Sequence, residues 1–164
     1  MNRLTFLAAI AAAFLWIAGP LPARADSDAE QLDRLFSRSS LQIATPDGKL
    51  HKFNVWIADN DSRRARGLMF VEHLDDDAGM LFVYSPPPQP IAMWMKNTHL
   101  PLDILFVNAD GKVHHIAENT KPLSLDTISS EGNVLAVIEL KAGTTARLNI
   151  RPGAQVIHPA FSPK

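Results

Sequence analysis

The sequence predicts a single, mostly β domain, folded as a small antiparallel β-sandwich or a barrel-like sheet. Short apolar runs recur along the chain and are separated by turn residues at intervals of about ten positions, which is typical of strands joined by tight turns. A chain of 164 residues has room for one such domain and too little for two. It contains no cysteine, so the fold must rely on its hydrophobic core, without disulfides.

The first residues have the features of a signal peptide. Arg3 supplies a positive charge, and residues 4–18 form an apolar stretch shorter than the roughly 20 residues that span a membrane. Residues 23–25 then match the A-x-A cleavage pattern, so we expect cleavage between Ala25 and Asp26. The expected location is therefore periplasmic or secreted, and an uncleaved membrane anchor stays open as the alternative.

The charge balance excludes several classes of partner. Cleavage would lower the basic count from 16 to 14 against 17 acidic residues, which gives a formal net charge of −3. Such a mild balance provides no basic surface for nucleic acid or for an anionic membrane. We therefore expect the partner to be a small polar molecule or a component of the cell envelope, and we predict no cofactor.

The domain boundaries follow from composition. Residues 26–40 are polar and acidic, which predicts a tether with at most a short helical turn. The β-rich domain is expected to cover residues 41–159, and residues 160–164 to form a short tail.

A hairpin and a helix are predicted at the start of the domain. Residues 41–45 and 50–58 have strand-like patterns, and the turn between them carries a glycine at Gly48. Residues 59–62 are helix N-cap types, so a short helix is expected over residues 63–69.

The rest of the domain reads as strands with one further helical segment. Four prolines in residues 85–90 exclude a helix or a central strand there, and residues 120–133 are predicted as loop. Strands are predicted at residues 80–84, 91–96, 102–108, 113–119, 134–140 and 154–158, and one or two helical turns at residues 143–148.

Several sequence blocks occur together in a recognisable order. They are RGLM at 66–69, GMLF at 79–82, WMKNT at 94–98, PLDI at 101–104, and LKAG at 140–143 leading to IRPG at 150–153. As a set they resemble the family called domain of unknown function 192. The resemblance covers residues 41–159 and implies one compact, mostly β, often exported domain. It implies no reaction, because no activity is established for the family.

Among the apolar segments of the chain, the predicted strand that contains Trp94 stands out because it also carries polar side chains. Side chains alternate along a strand, so Met93 and Met95 face one way while Trp94 and Lys96 face the other. We expect the methionines to fill the core. Trp94 could then stack on a sugar or aromatic group, while Lys96 and Asn97 bind its polar edge. The alternative is that Trp94 is a partly buried core residue and Lys96 a solvated charge.

Asp103 opens an otherwise apolar strand, where a carboxylate is costly unless it is paired. Arg66, Lys96 or the backbone amides of the Asn97 turn are its expected partners. An Arg66–Asp103 pair could simply join helix and sheet. Alternatively, Arg66, Lys96 and Asp103 line a pocket for a ligand that carries a carboxylate or a hydroxyl, with Glu118 at its rim.

A hydrolase-like enzyme that uses carboxylates is one alternative function. The acidic candidates are Asp75, Asp76, Asp77, Asp103, Glu118 and Asp126, but their spacing defines no catalytic geometry. Such an enzyme would need a carboxylate with a strongly raised pKa in a closed cleft.

A periplasmic Cu(I) site is the second alternative. Met93 and Met95 are soft ligands, and His99 lies nearby in the sequence. This hypothesis requires the three side chains to converge within bonding reach.

Overall fold

Residues 27–161 are described in the computed structural model, which forms a barrel-like sheet and a second, smaller sheet. The predicted signal peptide and its cleavage point lie outside these residues, as do the last three residues of the predicted tail. The helices of residues 27–161 include none that is long and apolar enough to cross a membrane.

The segment predicted as a tether contains helix α1 (Asp28–Leu35), so that prediction is wrong over this stretch. Ser27 and Glu30 form a capping box in which each side chain accepts a hydrogen bond from the backbone N–H of the other. Leu32 and Phe36 are buried in the core. A few apolar positions are enough to dock the helix, although the segment is polar on average.

The predicted hairpin is confirmed. Strand β1 (Ser37–Ala44) pairs in antiparallel register with strand β2 (Leu50–Ala58). Gly48 in the turn has a φ of 79°, a conformation that glycine adopts without a steric penalty.

Helix α2 (Asp61–Arg66) follows, capped by the Asn60 side chain, which accepts a hydrogen bond from the Arg63 N–H at 2.9 Å. The helix ends at Arg66 and not at residue 69. Gly67 takes a φ of +45°, and a Cβ there would lie 3.2 Å from the ring of Phe82, so both the backbone and the packing end the helix.

The remaining elements follow the apolar runs, with one exception. In the described chain they are β3 (Ala78–Val83), β4 (Gln89–Met93), β5 (Leu102–Val107), β6 (Val113–Ala117), β7 (Ile128–Val134), β8 (Ala136–Lys141), helix α3 (Thr144–Leu148), β9 (Gln155–Ile157) and a 3-10 turn (Pro159–Phe161). β7 was predicted as loop, because its sequence is polar and contains Gly132. β4 contains Pro90, which is tolerated because the strand belongs to a two-stranded sheet with β7.

The other strands form a seven-stranded sheet in the order β6-β5-β8-β3-β2-β1-β9. All neighbours are antiparallel except β2 and β3, which are parallel and joined through α2. The two edges meet: the Val113 N–H donates to the Ala154 oxygen at 2.9 Å, and the Gly153 N–H to the Val113 oxygen at 2.8 Å. This closure supports the predicted barrel-like, mostly β class.

Alternation along the strands produces two separate cores. Leu81, Leu105 and Ile138 belong to the cluster inside the barrel. Met80 and Ile104 point to the opposite face, where α1, the loop after α2 and the two-stranded sheet cover the barrel. The candidate site lies on this covered outer face.

Candidate functional site

A cavity of about 190 Å³ opens between α2, β4 and the outer face of the barrel. Three of the sequence blocks that carry the family resemblance meet at it, those at 66–69, 79–82 and 94–98. Its lining includes Arg64, Arg66, Gly67, Leu68, Met69, Phe82, Tyr84, Met93, Trp94, Thr98 and Glu139.

Glu139 is the unusual group of this cavity. It lies on β8 between Met80 and Ile104 of the neighbouring strands, so its side chain shares the outer face with apolar residues. The residue is 5% exposed, and its Oε2 atom has no hydrogen-bond partner among residues 27–161. Burial raises the pKa of the Glu139 carboxyl from 4.5 to about 8. At neutral pH the group is therefore mostly protonated and can donate a hydrogen bond.

Arg64 holds a positive charge at the same cavity. Its Nη1 donates to the Val83 oxygen at 2.7 Å, and its Nη2 forms an ion pair with Asp61 at 2.6 Å. The guanidinium carbon lies 4.9 Å from the centre of the Tyr84 ring. Burial raises the pKa of Tyr84, whose hydroxyl donates to the Met93 sulfur at 3.8 Å. Both side chains are thus fixed by packing and by hydrogen bonds.

Arg66 lies in the lining of this cavity. Its Nη1 donates to the carbonyl oxygens of Met69 and Gly67, which fixes the guanidinium beside the end of α2. The guanidinium carbon lies 5.2 Å from the centre of the Phe70 ring. Partial burial of the guanidinium lowers the pKa of Arg66.

The predicted alternation of the methionine segment holds only in part: β4 ends at Met93, which is half-buried and lines the cavity together with Trp94. Met95 is fully buried, whereas Trp94 is 51% exposed and Lys96 is exposed. The Lys96 Nζ lies 5.3 Å from the centre of the Trp94 ring, outside the cavity. Asn97 has a φ of 55° and places its side-chain nitrogen 3.9 Å from the Met69 sulfur. Trp94 thus lines the cavity, and Lys96 and Asn97 lie beside it.

Asp103 is buried, but its predicted partners are wrong. The carboxylate lies on the interior side of the barrel wall and accepts hydrogen bonds from the Asn119 N–H at 2.9 Å and from the N–H and hydroxyl of Thr145 at 2.9 and 2.7 Å. Thr145 belongs to the first turn of α3, so Asp103 anchors that helix to the barrel. Glu118 is exposed beside another cavity, of about 350 Å³, with Asn149 and Arg151. Neither carboxylate lines the Glu139 cavity.

The two methionines of the copper hypothesis have different partners. The Met93 sulfur accepts a hydrogen bond from Tyr84, whereas the Met95 sulfur accepts one from the Thr120 hydroxyl at 3.2 Å inside the core. His99 is exposed. A metal ion would have to displace a core contact to reach Met95, so the geometry favours packing over coordination.

A serine and a histidine also meet outside the cavity. Ser39 Oγ lies 3.0 Å from His158 Nε2, and the Ala160 N–H donates to His158 Nδ1 at 3.1 Å. Since Nδ1 accepts, the proton of the neutral ring is on Nε2 and is donated to Ser39. The ring is therefore in the wrong tautomer to remove the Ser39 proton. This pair joins β1 to the C-terminal segment and does not form a hydrolase site.

Fold and site together define a barrel-like, mostly β protein with a buried glutamate in the lining of a cavity, whose Oε2 atom has no partner among residues 27–161. The family model of DUF192, described as "Uncharacterized ACR", matches residues 42–158, and the chain belongs to this family. Among curated proteins, none matches the chain.

Two solved structures are similar to this one. A protein from Sinorhizobium meliloti 1021, provisionally described as a transcription regulator, is 38% identical with a TM-score of 0.74, and the match covers 76% of this chain and 96% of that one. A protein of unknown function from Novosphingobium aromaticivorans DSM 12444 is 37% identical with a TM-score of 0.70, covering 74% of this chain and 85% of that one.

Sequence reasoning missed Glu139, Arg64 and Tyr84. For Glu139 a signal was present: it is the single charged residue in the run from Val134 to Leu140, the same pattern that drew attention to Asp103. Arg64 and Tyr84 carried no such signal, because their side chains come together only when α2 packs beside the end of β3.

Proposed function

We propose that the protein binds a small molecule bearing a carboxylate or a hydroxyl in the Glu139 cavity, and that it does so without catalysis. The observation that carries the proposal is the unpartnered Oε2 atom of Glu139 at this cavity. A buried polar atom without a partner costs free energy, and a ligand that accepts its hydrogen bond would recover that cost.

The chemistry of the lining selects the ligand. The protonated Glu139 carboxyl is a donor in the lining, which favours a carbonyl, carboxylate or hydroxyl oxygen. Arg64 and Arg66 supply positive charge, which favours an anionic ligand over a cationic one. A volume of about 190 Å³ corresponds to about six water molecules, so only a small group fits inside. Trp94 offers a ring face at the opening.

A thermal-shift screen of the purified protein tests this proposal. The panel would contain acetate, lactate, glycerate, simple sugars and peptidoglycan fragments. A ligand at a hundredfold excess over its dissociation constant stabilises the folded state by about 2.7 kcal/mol, which raises the melting temperature by several degrees. We expect a carboxylate or hydroxy acid to give this shift.

Two variants test whether the ligand binds in the cavity or elsewhere on the surface. Glu139→Leu removes the donor and should weaken binding at least about tenfold. Glu118→Gln changes an exposed carboxylate outside the cavity and serves as the matched control, with binding unchanged. A ligand that binds both variants equally well would contradict the proposed site.

Proton-transfer catalysis is a second candidate function, favoured by one observation. A carboxyl whose pKa is about 8 is suited to act as a general acid or base near neutral pH. If the protein is an enzyme, turnover should be lost in Glu139→Gln while binding persists, because the amide keeps the shape and a donor but cannot transfer a proton. Binding and turnover that respond together to Glu139→Gln would not support this second function.

The proposed location is outside the cytoplasm, as the predicted signal peptide indicates. The provisional description of the S. meliloti protein suggests a role in transcription regulation instead. A formal net charge of −3 for residues 26–164 favours the small-molecule proposal, since nucleic-acid binding depends on clustered basic residues.

A further inference from the structure

Four exposed apolar side chains lie on three neighbouring loops, one of which lines the Glu139 cavity. Seven large apolar residues are exposed within residues 27–161, and these four are among them. We call these four residues the apolar collar: Phe70, Trp94, Leu123 and Leu125, which are 54%, 51%, 54% and 68% exposed. Such clustering marks a surface that meets something apolar.

The three loops of the collar are held together by backbone hydrogen bonds. The Phe70 N–H donates to the Asn97 oxygen at 2.8 Å, and the Leu123 N–H donates to the Thr98 oxygen at 3.1 Å. The segment around Trp94 therefore lies between the other two loops. Because these bonds fix the loops to one another, the collar is a surface of defined geometry.

Two collar residues have backbone conformations that bulky side chains rarely adopt. Phe70 has a φ of 66° and Leu123 a φ of 62°. Glycine or asparagine would take this left-handed conformation more easily. The fold thus holds two apolar side chains in water on unfavourable backbone, a combination that is typical of binding surfaces.

The collar is continuous with the cavity. Trp94 both lines the cavity and is half exposed, and Arg66 lines the cavity while its guanidinium packs on the Phe70 ring. A molecule that fills the cavity and extends outward therefore passes directly onto apolar side chains. Arg66 belongs to the cavity lining, so its positive charge suits a negatively charged head that lies inside the cavity.

We infer that the ligand of this cavity is amphiphilic: an acyl-chain carboxylate whose head lies in the cavity and whose tail lies on the apolar collar. This inference rests on the proposed function and names its ligand class. A volume of about 190 Å³ holds a short acid, so a longer chain must leave the cavity. The part of the acyl chain outside the cavity then contacts the apolar side chains of the collar.

Titration calorimetry with unbranched carboxylates from acetate to decanoate tests the inference. A methylene group that becomes fully buried strengthens binding about fourfold, and one that is half buried about twofold. We expect the affinity to keep rising beyond butanoate, which the cavity accommodates, by about twofold for each added methylene group.

Variants of collar residues test whether the increase in affinity with chain length comes from contact with the collar. Leu125→Ser changes the most exposed collar residue and should flatten the rise beyond butanoate. Leu123→Asn should also flatten the rise. Asparagine tolerates the left-handed backbone at this position, so this second variant tests the collar even if Leu125→Ser folds poorly. Ile157→Ser is the matched control, since Ile157 is 49% exposed on β9, and should keep the rise.

The outcomes separate this inference from the proposed function. Affinity that rises to butanoate and then stays constant would overturn the amphiphilic ligand while leaving small-carboxylate binding in place. A rise that is lost equally in Ile157→Ser would also overturn it, because the tail would then bind apolar surface without selection. Absence of binding for every acid, acetate included, would overturn the proposed function itself.

Discussion

Replacing Glu139 by glutamine should make the protein more stable, by an amount that grows with pH. The amide has the same shape and never ionises, whereas the folded protein must keep the Glu139 carboxyl protonated up to about pH 8. In the unfolded chain the same carboxyl ionises near its ordinary pKa of 4.5. The wild-type protein therefore loses stability between these two values, and the Glu139→Gln variant does not.

The sign and size of this stability difference follow from proton linkage. Below the ordinary pKa both states are protonated, so the carboxyl costs nothing. Between the ordinary and the raised pKa, ionisation favours the unfolded state by about 1.4 kcal/mol for each pH unit. This gives roughly 3 kcal/mol at about pH 7 and a constant penalty above the raised pKa.

Urea denaturation of the two proteins between about pH 5 and pH 8 measures this difference, with Glu118→Gln as the control for an exposed carboxyl. The difference in unfolding free energy should grow by roughly 3 kcal/mol over that range, and other titrating groups cancel because both proteins share them. A difference that is independent of pH would refute the buried, neutral state of Glu139.

Three further variants test the other structural claims. Asp103→Asn should cost about 2–4 kcal/mol in urea denaturation, because the carboxylate accepts three hydrogen bonds, two of them from Thr145, and the amide places a donor against donors. Gly79→Ala should lower the unfolding free energy by about 2 kcal/mol or more, because the added Cβ would lie 2.5 Å from the Glu139 carbonyl oxygen. A melting temperature equal to that of the wild type would show that β3 and β8 are farther apart. Trp94→Ala should change stability by less than about 1 kcal/mol, because the ring is half exposed, while the ligand-induced thermal shift is lost.

Periodicity predicted most of the fold, and local composition explains where it did not. Residues 102–107 are apolar on both faces of the strand except at Asp103, because both cores contact them, so the sequence predicts this strand clearly. β7 differs from the loop prediction because its sequence is polar and shows no apolar alternation; in the structure it pairs with β4. Helix α1 was missed because two apolar contacts, Leu32 and Phe36, outweigh a polar average.

The candidate site was predicted only in part, for a geometric reason. Alternation predicted that Trp94 faces outward, and the structure brings Arg66 to the same cavity. Asp103 and Glu139 gave the same sequence signal, a single carboxylate in an apolar strand. The two differ in which side of the barrel wall they occupy: Asp103 meets the amides of α3, whereas Glu139 meets a cavity. That distinction depends on strand register and closure, which a single sequence does not reveal.

A carbon-13 NMR titration of the Glu139 carboxyl, without and with a saturating carboxylate, tests the central claim most directly. The account predicts a midpoint of about 8 in the free protein. It predicts a higher midpoint with the carboxylate bound, because the bound anion accepts the Glu139 proton and disfavours its loss. A free-protein midpoint at the ordinary 4.5, or a midpoint that the carboxylate leaves unmoved, would contradict the account.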